Sequence, residues 1–200
     1  MPWALALLLA APSASPVPVV LRTPLGEIEM LVDAGHAPVT AANFLRYVDA
    51  GHYDGGRFHR TVRLDNQPQN RVKIEVVQAG VGPEREGDGF PAIPLERTTA
   101  TGLRHRDGTV SMARDGPDTA TSDFFICLGD QPSLDHGGAR NPDGQGFAAF
   151  GRVVRGMEVV RRIQAAPADG QSLTPPVPIL SARRAPVAAR QGAGAREQEP

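Results

Sequence analysis

The amino-acid sequence predicts a mainly β protein whose strands form a closed antiparallel barrel. Glycine and proline are abundant, with 22 glycines and 19 prolines among 200 residues, which is typical of a chain with many turns. Short β-branched runs lie between these turns, and only two segments have the apolar periodicity of a helix. This pattern favours a closed barrel over a sheet built from alternating strands and helices.

The first elements are a hairpin and a helix. Residues 17–21 and 27–32 are strand-like and flank a turn with Pro and Gly at residues 23–26. Residues 38–50 carry apolar side chains at i, i+3, i+4 and i+7, begin with proline and are followed by Gly51. These features predict a helix that starts at Pro38 and ends at Ala50.

The rest of the chain alternates short strands with loops rich in glycine and proline, and it contains one more helix. That helix spans residues 157–165, with Met157, Val160 and Ile163 on one face. The other predicted strands are residues 57–62, 72–78, 109–113, 124–128, 148–153 and 177–181.

Composition and charge exclude several classes of function. A chain that is 40% hydrophobic and 22% charged suits one globular domain, and its net charge of -1 argues against binding to nucleic acid. The single cysteine, Cys127, excludes an internal disulfide, and the five histidines lack ligand spacing. No motif for a metal or a cofactor is present, and we expect Cys127 to be a buried, inert thiol.

The two ends of the chain differ from its centre. Residues 1–15 combine a short apolar run with small residues, which predicts a secretory signal and export across one membrane, into the periplasm if the source is bacterial. The run is too short to span a bilayer, so no membrane anchor is expected in the mature chain. Residues 185–200 have no apolar periodicity and predict a disordered tail.

A hydrolase is an alternative hypothesis, because Ser133, Asp135 and His136 are the three residue types of a catalytic triad. No Gly-x-Ser-x-Gly turn surrounds the serine, and the adjacent Pro132 favours a simple turn. A hydrolase is therefore a minor alternative.

Five motifs that follow one another along the chain indicate a function other than hydrolysis. They are Tyr-Asp-Gly-Gly-Arg-Phe-His-Arg at residues 53–60, Val-Gln-Ala-Gly at 77–80, Ser-Met-Ala-Arg at 111–114, Ser-Asp-Phe-Phe-Ile at 122–126 and Phe-Ala-Ala-Phe-Gly-Arg-Val at 147–153. Together they resemble the cyclophilin family of peptidyl-prolyl cis-trans isomerases. The resemblance covers residues 17–182, which would form one isomerase domain.

The resemblance implies an eight-stranded antiparallel barrel capped by two helices, with the active face on its outer surface. It implies that Arg60 and Gln78 are catalytic and that no cofactor or metal takes part. The substrates would be proline-containing unfolded or flexible polypeptides, bound by a monomer. The implied substrate-binding residues are Phe58, Val76, Met112, Ala113, Arg114, Asp123, Phe125, Leu134 and Phe147.

An arginine suits this chemistry for a physical reason. Rotation about a prolyl amide is slow because the C–N bond has partial double-bond character, with a barrier of about 18–20 kcal/mol. The proline nitrogen gains an accepting lone pair when that bond is twisted, so a fixed donor stabilises the transition state more than either planar state. We expect Arg60 to be that donor, and His59 to be a buried structural residue.

The sequence departs from the family at the proline pocket. Residues 63–71 replace a shorter link, and Glu75 falls where the family has an aromatic residue. An unpaired carboxylate in an apolar pocket is costly, so we expect Glu75 to point away and the loop or Ile74 to complete the wall. Asp123 replaces a glutamine. The altered region at residues 62–78 leaves open a rival function, a chaperone or scaffold module that binds proline segments with little catalysis.

Overall fold

The structure, a computed structural model, describes residues 14–186. The predicted signal segment and the predicted tail therefore fall almost entirely outside the described residues. Within residues 14–186, no helix has both the length and the apolar character needed to cross a bilayer.

One antiparallel sheet dominates the fold. In the described part of the chain this sheet has ten strands, in the order β10-β1-β2-β7-β5-β6-β4-β3-β9-β8. The strands are β1 (Val17–Thr23), β2 (Gly26–Val32), β3 (Arg57–Val62), β4 (Val76–Gly80), β5 (Thr109–Met112), β6 (Phe124–Cys127), β7 (Ala148–Arg155), β8 (Ala168–Asp169), β9 (Ser172–Pro178) and β10 (Ser181–Arg184). The prediction of a mainly β protein is confirmed.

The predicted strand number is wrong, and barrel closure is not confirmed. A short hairpin, β8–β9, adds a strand, and the predicted strand at residues 177–181 is divided between β9 and β10. The division occurs because the amide of Ile179 bonds to Gly56 and the amide of Leu180 bonds to Arg22, so the chain leaves β3 and joins β1. Within residues 14–186, no ladder pairs β10 with β8 at the two ends of the sheet.

Between residues 14 and 186, three α-helices and two 3₁₀ turns connect the strands. Helices α1 (Pro38–Asp49) and α3 (Met157–Gln164) lie close to their predicted positions, and α1 has proline in its first turn. No sequence pattern predicts the four-residue helix α2 (Thr98–Thr101). The 3₁₀ turns are Pro83–Arg85 and Pro132–Leu134.

The main core lies on one face of the sheet, under α1 and α3. Its centre is Phe44 of α1, whose ring centroid lies 5.3 Å from that of Tyr53, 5.4 Å from Phe124 and 5.0 Å from Phe150. All four side chains are fully buried. This aromatic cluster fixes α1 against strands β6 and β7.

A second apolar cluster lies on the opposite face of the sheet. Alternation along β6 directs Phe124 into the main core and Phe125 into this second cluster. Its buried members are Val62, Ile74, Val76, Phe125, Cys127 and Leu134, with Ala113 and Phe147 packed against them. Cys127 is buried, as expected, and burial raises the pKa of its thiol above the ordinary value.

A buried polar network supports this second cluster from behind. His105 Nδ1 lies 2.8 Å from Asp135 Oδ1, and His105 Nε2 lies 2.9 Å from Ser111 Oγ. The His105 ring also stacks on Phe125, with ring centroids 6.0 Å apart. Burial alone would raise the pKa of Asp135, but hydrogen bonds from the His105 ring and amide outweigh it and lower that pKa.

Replacing Gly156 with alanine should destabilise the fold. Gly156 joins β7 to α3 at a φ of +91°, and a Cβ there would overlap the carbonyl oxygen of Glu27. We expect a loss of more than about 2 kcal/mol in the free energy of unfolding, measured by urea titration. Gly170 also has a positive φ but open space around it, so Gly170→Ala should cost only about 1 kcal/mol. Equal losses would contradict the importance of the close approach.

Replacing Asp135 with asparagine should remove a pH-dependent part of the stability. Because the folded-state pKa of Asp135 is lowered, its contribution is complete above the ordinary aspartate pKa and is lost as pH falls through the folded-state pKa. We expect Asp135→Asn to cost about 2–3 kcal/mol at pH 7. The difference in the free energy of unfolding between this variant and the wild type should become smaller below about pH 4.

The matched control for this measurement is Ser111→Ala, which removes a network member without removing a carboxylate. Urea titrations of both variants between pH 7 and pH 3 should show narrowing for Asp135→Asn alone. A constant difference between Asp135→Asn and wild type would mean that the carboxylate is not ionised by preference in the folded protein.

Candidate functional site

The site is built across neighbouring strands. In the sheet register, Arg60 of β3 pairs with Gln78 of β4, and Gln78 pairs with Phe125 of β6. Residues paired directly across antiparallel strands project from the same face. The register therefore places a guanidinium, an amide and an aromatic ring in one row on the face opposite the main core.

A β-bulge in β3 makes this row possible. The register shifts between Phe58 and Arg60, so Phe58 faces the main core while Arg60 faces the opposite side. His59 is the extra residue at the bulge. Its side chain is 33% exposed, with Nε2 lying 3.5 Å from Asp123 Oδ2, so the expectation that His59 is buried is wrong.

Two neutral amides hold the Arg60 guanidinium. Its Nε and Nη2 donate to Gln171 Oε1 at 3.0 and 2.6 Å, and its Nη1 donates to Gln78 Oε1 at 3.1 Å. Gln171 comes from the β8–β9 hairpin, where its own Nε2 donates to the carbonyl of Asn66. Burial lowers the pKa of Arg60, but the guanidinium remains charged. The side chain is thus fixed in position without being neutralised.

Asp123 sets the orientation of Gln78. Gln78 Nε2 donates to Asp123 Oδ2 at 3.0 Å. Because an ionised carboxylate only accepts hydrogen bonds, Asp123 must receive the amide NH₂, which leaves the amide oxygen for Arg60. Gly80 leaves the space that the Asp123 side chain occupies. The departure from glutamine at residue 123 therefore retains an ordered hydrogen-bond chain.

These residues line a cavity of about 420 Å³. Nine sequence-predicted site residues meet there, namely Arg60, Gln78, Val76, Ala113, Arg114, Asp123, Phe125, Leu134 and Phe147. The structure does not bring Phe58 and Met112 to the cavity. Both lie in the main core, Phe58 because of the bulge and Met112 because it alternates with Ser111 along β5.

Ile74 completes the wall of the cavity, as the sequence predicts. The Glu75 side chain turns away and accepts a hydrogen bond from Gln164 at 3.2 Å. Gln67, which is 1% exposed, fixes this arrangement by donating to the Ile74 carbonyl at 2.6 Å and accepting from its amide at 3.3 Å. Because the backbone groups of Val72 and Ile74 bond to the side chains of Arg140 and Gln67, β4 starts at Val76 and not at the predicted residue 72.

Arg114 borders the cavity but is held by the protein. Its guanidinium forms a two-point ion pair with Asp143, at 2.8 and 3.1 Å, and also donates to the carbonyl of Gly146. It lies 5.1 Å from the centre of the Phe147 ring. This side chain therefore braces the loop that carries Phe147.

Sequence reasoning missed three residues that shape the site: Gln171, Gln67 and Arg140. Gln171 holds Arg60, Gln67 fixes Ile74, and Arg140 lines the cavity and donates to Gln67 at 2.9 Å. Gln171 and Arg140 act through partners far away in the chain, and no local motif marks any of the three residues. Only the adjoining glycine at residue 170, a turn signal, hinted that Gln171 lies in a hairpin.

The chemistry available here is hydrogen-bond donation beside an apolar pocket. Among residues 14–186, no group of three or more His, Cys, Asp or Glu side chains could hold a metal ion. The hydrolase alternative loses its support, because the Asp135 carboxylate bonds to His105 and Arg104 and is not available to orient His136.

Comparisons with known proteins agree with this geometry. Residues 18–184 match the family model described as cyclophilin type peptidyl-prolyl cis-trans isomerase. Peptidyl-prolyl cis-trans isomerase A of Dickeya dadantii is 38% identical over 146 residues, which cover 72% of this chain and 70% of that protein. A peptidyl-prolyl cis-trans isomerase of Streptomyces antibioticus is 37% identical, over 73% of this chain and 82% of that protein.

Solved structures agree in fold. A cyclophilin type peptidyl-prolyl cis-trans isomerase of Cryptosporidium parvum superposes with a TM-score of 0.67 at 22% identity, covering 85% of this chain and 98% of that chain. The same protein, crystallised in the presence of the dipeptide Ala-Pro, gives a TM-score of 0.66 at 21% identity, covering 84% and 98%. From its family model and its relatives, this chain belongs to the cyclophilin-type peptidyl-prolyl cis-trans isomerase family.

Proposed function

We propose that this chain catalyses the cis–trans isomerisation of X-Pro peptide bonds in unfolded or flexible polypeptides. One observation carries the proposal, namely that the amides of Gln78 and Gln171 hold Arg60 in place in a cavity that has apolar side chains along one wall. This arrangement provides a fixed cationic donor beside a surface that suits a proline ring.

The pocket and the donor have separate tasks. Ile74, Val76, Phe125, Leu134 and Phe147 offer the apolar surface on which a proline ring is held. The rest of the peptide then turns about the prolyl bond. As the amide twists and loses its resonance, its nitrogen becomes an acceptor, and Arg60 donates to it.

The neutral partners of Arg60 favour this role. A carboxylate partner would offset the guanidinium charge, whereas the amide oxygens of Gln78 and Gln171 fix its plane and leave the charge in place. The donor is therefore in position before the substrate twists, which is the condition under which electrostatic stabilisation of a transition state is most effective.

The rival function, binding of proline segments with little catalysis, rested on the altered wall at residues 62–78. Ile74 supplies apolar surface at this wall, and Glu75 faces away from it. Both observations favour the enzyme over the binding module, and the rates of Arg60 variants separate the two.

Replacing Arg60 with alanine should slow catalysis by about 100- to 1,000-fold, because one well-placed donor at the transition state is lost. Arg60→Lys should recover only part of the rate, since an ammonium cannot reproduce the planar fork. The rate is measured in a protease-coupled isomerisation assay, and peptide affinity by calorimetry. Affinity should fall less than the rate, because the apolar pocket remains.

The matched control is Arg155→Ala, which removes an exposed arginine of β7 that pairs with Glu29 far from the cavity. Its rate should equal that of the unmodified protein. An Arg60→Ala variant that folds and isomerises at the unmodified rate would overturn the assignment of Arg60. If the unmodified protein itself isomerises peptides no faster than the uncatalysed reaction, the binding module is favoured.

We also propose that the chain is exported and acts as a monomer. Support for export comes from the apolar run and the small residues within positions 1–15. Intact-mass measurement on protein from the source cells should give a chain that starts near Ser15. Such a chain lacks Trp3, the single tryptophan, so its fluorescence should be that of tyrosine. A mass that includes Met1 would contradict export by cleavage. The molar mass from light scattering should be that of one chain, and twice that value would contradict the monomer.

A further inference from the structure

A second arginine faces the same cavity as Arg60. Arg140 lies in the loop between the 3₁₀ turn Pro132–Leu134 and strand β7, and its half-buried side chain lines the cavity. Its Nη1 donates to Gln67 Oε1 at 2.9 Å and to the carbonyl of Val72 at 2.6 Å. Both acceptors belong to the loop that positions Ile74, so Arg140 is fixed against one wall of the proline pocket.

The guanidinium of Arg140 has donors to spare. Both of its hydrogen bonds use Nη1, and its Nε and Nη2 donate to no atom of residues 14–186. Neither nitrogen is buried without a partner, so both are accessible from the cavity side or from solvent. Nε and Nη2 together form the edge with which arginine binds a carboxylate at two points.

In the described part of the chain, Arg60 and Arg140 have no direct carboxylate partner. Among residues 14–186, neither Arg60 nor Arg140 forms an ion pair with a carboxylate, whereas Arg114 is paired with Asp143. The acidic side chains that line the cavity, Asp115 and Asp123, both come from the segment between β5 and β6.

These two arginines affect each other. Burial and the charge of Arg60 both lower the pKa of Arg140. This mutual repulsion is relieved when an anionic group binds beside them, because each guanidinium then has an opposite charge nearby. A peptide that brings a carboxylate to this wall gains that energy, and a neutral or basic peptide does not.

We propose that Arg140 selects polypeptides with an acidic side chain, Asp or Glu, next to the isomerised proline. The inference rests on the proposed function, since it assigns a specificity to the same pocket. The proline ring places its neighbouring residues at the rim of the cavity, and Arg140 offers its free edge there. Arg140 is a specificity residue in this assignment, whereas the chemistry belongs to Arg60.

The experiment compares Ala-Ala-Pro-Ala-Ala peptides carrying Glu, Gln or Lys directly before or directly after proline. Exchange between cis and trans forms is measured by NMR, which needs no protease with its own sequence preference. Glu and Gln have nearly the same shape, so their ratio of kcat/KM isolates the charge. We expect the ratio to favour Glu by about three- to tenfold on at least one flank, with Lys the poorest substrate. The preference should shrink as salt is raised.

Three variants assign the preference to Arg140. In Arg140→Gln the Glu-to-Gln ratio should fall close to one, while Arg140→Lys should keep much of it because the charge remains. Arg71→Gln removes an exposed arginine of the neighbouring loop that does not line the cavity, and it should keep the wild-type ratio. A purely structural role for Arg140 would lower the rates for Glu and Gln peptides alike and leave their ratio unchanged.

Failure of this inference is distinguishable from failure of the proposed function. Acceleration of all peptides with no preference for Glu on either flank would overturn the role of Arg140 and leave the isomerase intact. Acceleration of none would overturn the isomerase, and calorimetric Kd values for the same peptides would then decide the inference. A Glu-to-Gln affinity ratio that is lost in Arg140→Gln supports it, and equal affinities reject it.

Discussion

The site depends on the way the protein holds the Arg60 guanidinium. Two amide oxygens accept from it, one from the neighbouring strand β4 and one from the β8–β9 hairpin. Neutral acceptors orient a cation and leave its charge in place, whereas a carboxylate partner would offset that charge. The strand register, the β-bulge at His59 and the β8–β9 hairpin together bring Gln78, Gln171 and Arg60 within hydrogen-bond distance. The position of the donor therefore depends on the geometry of the sheet.

The sheet serves two environments because its side chains alternate between faces. One face carries the aromatic core around Phe44, and the other carries the smaller apolar cluster that lines the cavity beside Arg60. Such a small cluster open to solvent would be loosely held if its residues had no further support. The buried His105 network supplies that support, because the His105 ring stacks on Phe125 and bonds to Asp135. Since the pKa of Asp135 is lowered in the folded protein, the stabilisation that this network provides depends on pH.

Much of the site was predictable from sequence because its residues occur in local motifs on regular strands. Arg60, Gln78 and Phe125 were identified in this way, and the structure brings them into one row. Phe58 was misplaced because no sequence rule marks the bulge that turns it inward. Gln171 was missed because its role arises only when the β8–β9 hairpin folds against β3. The number of strands failed for a similar reason, since the C-terminal run changes partners between β9 and β10.

Chemistry and selectivity occupy different parts of this fold. Arg60 and Gln78 lie on paired strands, where the backbone ladder limits their movement, whereas Gln67, Ile74 and Arg140 lie on loops that contact each other. Loops tolerate insertion and strands do not, so an inserted loop changes the wall of a pocket without moving its donor. The residues that restore the apolar wall here also anchor Arg140. The contact between these two loops therefore completes the apolar wall of the pocket and holds a positive charge beside it.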